Sequence, residues 1–129
     1  MVFLPHLYAY ADVALFLLQM AVAVVFIVHA VPKLTNPKAM AGMMGVSAAF
    51  PFFLGFLELF SALGLIFGVW VQLSGLFLCV AMLGAMAMKI GKWHVPFTAM
   101  NKTGWEFDMV LFFVALLFFL SGGSAIRLI

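Results

Sequence analysis

Charge is the scarce ingredient of this chain: six Lys and Arg and four Asp and Glu, 8% of 129 residues. An ordinary globular domain carries about 25%. With 68% hydrophobic residues, sixteen Phe and ten Met among them, too little polar surface remains to cover a water-soluble core. A membrane protein is therefore expected, with the lipid bilayer as its first partner. The net charge of +2 supplies no basic face, and nucleic acid is not an expected partner. Cysteine occurs once, at Cys79 inside an apolar run, which excludes a disulfide framework and any two-cysteine redox motif. Three dispersed histidines, with neither HxxxH nor CxxC, offer no transition-metal or haem site. There is no Walker or Rossmann glycine loop, and Ser61 has no histidine at helical spacing to activate it. No Lys or Arg precedes the first apolar run and no small-residue cleavage site follows it, so the N-terminus reads as the start of a retained helix.

What is present is a set of long apolar runs. They predict an all-α integral membrane four-helix bundle, one transmembrane domain over residues 1–129, with spans near 11–31, 52–68, 72–90 and 105–121. Pro32 and the Asn36-Pro37 step are expected to stop the first span. Ala39–Ala49 is too short to cross and is expected to lie at the interface. From Phe52 to Met88 the only charge is Glu58, and one helix of that length would reach about 55 Å against a hydrocarbon core of about 30 Å. The chain must fold back, with the corner expected at Gly68–Gly75. Gly64 and Gly68 form GxxxG on the second span, read as a close-packing face within the molecule, though an oligomer remains open. Ser121-Gly122-Gly123 signals the end of the fourth span.

Up-and-down topology then brings the buried charges to one end. His29 and Lys33 end the first span, Glu58 lies inside the start of the second, Lys89 ends the third, and Glu106 and Asp108 begin the fourth. Asp12, Gln19, His29 and Lys33 also fall within an arc of about 100° on the first span. A carboxylate such as Glu58 costs about 2.5–3.5 kcal/mol or more inside a bilayer unless paired or protonated, so Lys33, Lys89 and His29 are its expected partners. Trp93, His94 and Trp105 stand at the mouth, while Lys92, His94 and Lys102 are expected to face water or headgroups. Lys33, Lys38, Lys89, Lys92 and Lys102 share the side opposite Arg127. The positive-inside rule accordingly places the connections 32–51 and 89–104 in the cytoplasm and both termini outside.

These residues resemble the DoxX family of small four-helix membrane proteins. The matching pieces are Phe26-Ile-Val-His29-Ala-Val-Pro-Lys33-Leu, Glu58-Leu-Phe-Ser-Ala-Leu-Gly64-Leu-Ile-Phe-Gly68, Lys92-Trp-His-Val-Pro96-Phe, and Gly104-Trp-Glu-Phe-Asp108 followed by Ser-Gly-Gly. The family pattern has an Arg ten residues before the His, where this chain has Gln19, and a Gly after it, where this chain has Ala30. The resemblance implies a quinone-linked role in a prokaryotic plasma membrane, since relatives include the membrane subunit of thiosulfate:quinone oxidoreductase.

Three functions are compatible with this pattern. In the first, a membrane subunit of a redox-linked system binds a quinone or lipid-like amphiphile. Glu58 and His29 exchange protons, Lys33 and Lys89 hold the ring oxygens, Glu106 and Asp108 orient those lysines, and Trp105 lines the mouth. No redox centre is visible in the chain, so electrons would come from a soluble oxidoreductase partner or a bound cofactor. In the second, the cluster is a structural network in a non-enzymatic scaffold for such a partner. A small transporter or channel subunit ranks third, because the polar groups crowd one end.

Overall fold

The computed structural model describes residues 1–128. A short 3-10 turn, Pro5–Tyr10, leads straight into α1, Ala11–Thr35; α2 covers Pro37–Met44, α3 Ala49–Phe67, α4 Val71–Ala87 and α5 Trp105–Ser121. A π-helical turn, Met88–Lys92, continues α4. The four long helices pack in the order α1, α3, α4, α5. The turn with α1, α3, and α4 with its π turn are each long and apolar enough to cross a membrane. α5, at 17 residues, reaches about 26 Å and carries no charge after Asp108.

The end of the first span differs from the sequence reading. Pro32 does not stop α1, which runs through it to Thr35. Proline removes only its own N–H, and the last turn is closed by the Asn36 amide on the Pro32 carbonyl at 2.9 Å and the Thr35 hydroxyl on the Val31 carbonyl at 2.8 Å. The break falls at Asn36, where Pro37 opens α2 and needs no N–H partner. The corner after α3 falls where the sequence placed it, within Gly68–Gly75 and almost without a loop. Gly68 adopts a left-handed conformation as its C-cap, Trp70 is left-handed as well, and α4 has already begun at Val71.

That geometry separates the roles of the two GxxxG glycines. Gly64 faces Ser74 of α4, which is close packing within the molecule. Gly68 ends the helix instead of packing on a helix face, because its φ of 68° suits a residue without Cβ. Among lipid tails apolar burial gains little, so helix contact depends on close approach and satisfied polar groups. The α4–α5 contact shows this at Gly75, where an added Cβ would stand 2.5 Å from the Phe119 amide nitrogen and 2.8 Å from the Ala115 carbonyl oxygen. Both obstacles are backbone. Gly75→Val is expected to lower the thermal midpoint in detergent, with an overpacking cost of about 1–3 kcal/mol; an unchanged midpoint would contradict this contact.

Large apolar side chains cover the outward faces, among them Phe53 (70% exposed), Phe56 (59%), Val80 (59%) and Phe113 (58%). Inside lie Phe26, Leu65, Leu78, Ala115 and Phe118. An apolar exterior around an apolar core suits hydrocarbon as the surrounding solvent.

Candidate functional site

At the end formed by the C-termini of α1 and α4 and the N-termini of α3 and α5, four charges meet as two ion pairs. The Lys33 ammonium donates to both oxygens of Glu58, at 2.8 and 2.9 Å. The Lys89 ammonium lies 2.7 Å from Asp108 Oδ2. The first pair is a hydrogen-bonded fork. The second is close in distance but lacks hydrogen-bond angles, and Oδ2 has no other hydrogen-bond partner.

Helix ends explain three of these positions. Lys33 stands in the last turn of α1, Lys89 in the turn that ends α4, and Asp108 in the first turn of α5. Each charge therefore opposes the partial charge of its helix end, a favourable placement. Glu58 is the exception. It sits nine residues into α3, about 14 Å along the axis, and is 2% exposed, so its carboxylate depends on Lys33. Gly55, one turn earlier, makes room for that lysine: an added Cβ there would lie 2.8 Å from Lys33 Cβ.

His29 lies one turn before Lys33 on α1. Its imbedding is partial: the residue is exposed on one side, and its ring leans on Phe107 of α5 with centroids 5.9 Å apart at 41°. An accessible titratable residue thus lies one turn from an ion-paired lysine and against an aromatic face. Such a setting can hold a polar-headed aromatic guest and exchange protons with it.

The remaining residues singled out in the sequence lie around this core. Trp105 is half-buried and meets Phe97 edge-on, with centroids 4.6 Å apart. Glu106 accepts the Thr98 hydroxyl at 2.9 Å and pins the connection before α5; it pairs with neither lysine. Lys92 and Lys102 are exposed, and Lys92 donates to the Gly45 carbonyl at the end of α2, at 3.0 Å. His94 is exposed with φ of 52°. Among the described residues no three of His, Cys, Asp and Glu gather closely enough to hold a metal ion.

The family model DoxX matches residues 14–93, more than half of the chain. The chain belongs to the DoxX family. With helices of spanning length and composition, this DoxX protein is an integral membrane protein of a family often linked to redox and quinone systems. The matched segment includes His29, Lys33, Glu58 and Lys89, while Trp105, Glu106 and Asp108 lie beyond it. No curated protein and no solved structure matches.

Two features of the DoxX chain escaped sequence reasoning. Ser61, one turn after Glu58 and fully buried, has a hydroxyl without a hydrogen-bond partner. Gln19 donates to the Leu65 carbonyl of α3 at 3.0 Å and accepts the Ser124 amide at 2.5 Å. Its helical position marked it as inward-facing. Nothing in the spacing identified a tail residue 105 positions away as its partner.

Proposed function

We propose that this protein is the membrane subunit of a redox-linked system and binds a quinone, or an amphiphile of similar shape, beside His29 at the charged end of the bundle. The observation that carries the reading is the exposed His29, one turn before the ion-paired Lys33 on α1, with its ring against Phe107. Reduction of a quinone takes up two electrons and two protons. In this reading His29 exchanges protons with the ring oxygens, Glu58 supplies the deeper acid–base group, and Lys33 and Lys89 stabilise charge on the oxygens, with Trp105 at the mouth. Asp108 positions Lys89 through their ion pair. The electrons come from a soluble oxidoreductase docked on the connections 32–51 and 89–104. Even with Lys33 and Lys89 drawn into ion pairs, Lys38, Lys92 and Lys102 outnumber Arg127, which supports placing those connections in the cytoplasm of a prokaryotic cell.

Quinone titration of the purified protein, followed by tryptophan quenching, tests the reading. Saturable quenching is expected, weakened about tenfold in His29→Leu, the loss of one charge-assisted hydrogen bond. Absence of saturation, or equal affinity in His29→Leu, overturns it. One observation favours the scaffold alternative: the Lys33–Glu58 fork satisfies both partners and ties α1 to α3 with no guest. In that case unfolding, and not quinone affinity, responds to changes at the pair.

A further inference from the structure

The opposite end of the bundle holds a cavity of about 500 Å³, open to the outside, lined by Gly68 and Trp70 of the α3–α4 turn, Gln72 and Leu73 of α4, and Arg127 of the C-terminal tail. It lies where α3 and α5 end and α4 begins, the level at which a bilayer passes from acyl chains to headgroups. Arg127 is the one Lys or Arg at this end. Among the described residues its guanidinium joins no carboxylate; one N–H donates to the Gly68 carbonyl. A guanidinium has five N–H donors, so most remain for a guest. Trp70 stands beside it, 68% exposed, with its backbone held left-handed by the tight turn. An amphipathic indole at this depth is suited to the boundary between tails and headgroups.

We propose that this cavity binds a phosphate group, with Arg127 as the charged donor and Trp70 and Leu73 as its apolar wall. Guanidinium and phosphate match in geometry and charge, and phosphate is the anion present at this depth. The Gln72 amide is committed elsewhere, to the Phe119 carbonyl at 3.1 Å, so it braces the wall and leaves Arg127 to recognise the anion. The site is separate from the His29 end and does not depend on the quinone reading.

Native mass spectrometry of the full chain released from detergent tests the proposal with three probes: phosphatidylglycerol, diacylglycerol without a phosphate, and inorganic phosphate. Phosphatidylglycerol should be retained and diacylglycerol should not. Arg127→Gln should weaken phosphatidylglycerol retention about tenfold, as expected for loss of a charge-assisted bond. Leu73→Trp, which keeps Arg127 and fills the cavity, should weaken it similarly and covers the case in which Arg127→Gln fails to fold. Displacement by inorganic phosphate assigns the site to a free anion, and resistance to it assigns the site to a lipid headgroup. Retention of diacylglycerol as firm as that of phosphatidylglycerol, or retention unchanged in the variants, overturns the proposal.

Discussion

Glu58→Gln is expected to destabilise the protein in detergent by about 3–5 kcal/mol, the usual effect of removing one partner of a buried ion pair. The side chains of Lys33 and Glu58 are only 12% and 3% exposed, so solvent screens the pair weakly. The amide of Gln can still accept one hydrogen bond from Lys33, but it cannot neutralise the ammonium. The decisive companion is Lys33→Met with Glu58→Gln. That double variant removes the stranded charge, keeps the aliphatic stem beside Gly55 and Ala30, and should recover most of the loss. Thermal unfolding of both variants measures the coupling. A Glu58→Gln midpoint equal to wild type would show that the fork contributes nothing to the fold. A double variant that is stable yet no longer quenched by quinone would separate the pair's chemistry from its structural role.

The sequence exposed the helices because hydrophobic run length is set directly by bilayer thickness. It also predicted that Lys33 and Lys89 would meet acids, since alternating helix direction leaves few alternatives. Partner choice was less legible. Lys33 reaches Glu58 because α1 continues through Pro32, and Lys89 reaches Asp108 in a π-helical turn that no composition rule announced. Glu106 and Asp108 looked equivalent on paper at the start of α5. Two residues apart, they point about 200° from one another, so one is buried beside Lys89 and the other turns to Thr98. The polar contacts at the opposite end were hidden for another reason. Three of them, from Gln19, Gln72 and Arg127, join side chains to backbone carbonyls that helix ends leave open, and every helix offers such carbonyls whatever its sequence.

Those open carbonyls make Gln19 the second sensitive position. α3 ends at Phe67, and its Leu65 carbonyl takes the Gln19 amide; Gln72 serves Phe119 at the end of α5, and Arg127 serves Gly68. Gln19 alone is both fully buried and used at both its donor and acceptor atoms, since its oxygen also receives Ser124 from the tail. Gln19→Leu keeps the volume but strands a carbonyl and an amide, at about 1–3 kcal/mol each. The expected result is a lower unfolding midpoint together with faster protease cleavage after Ser121, because the tail then keeps only the Ser124 and Ala125 contacts with Asp12 and the Arg127 bond to Gly68. Gln19→Arg should release the tail as well: a guanidinium can donate to Leu65 but cannot accept from Ser124. If cleavage of the tail is as slow in Gln19→Arg as in wild type, the tail is held by Asp12 and Arg127, and Gln19 serves α3 alone.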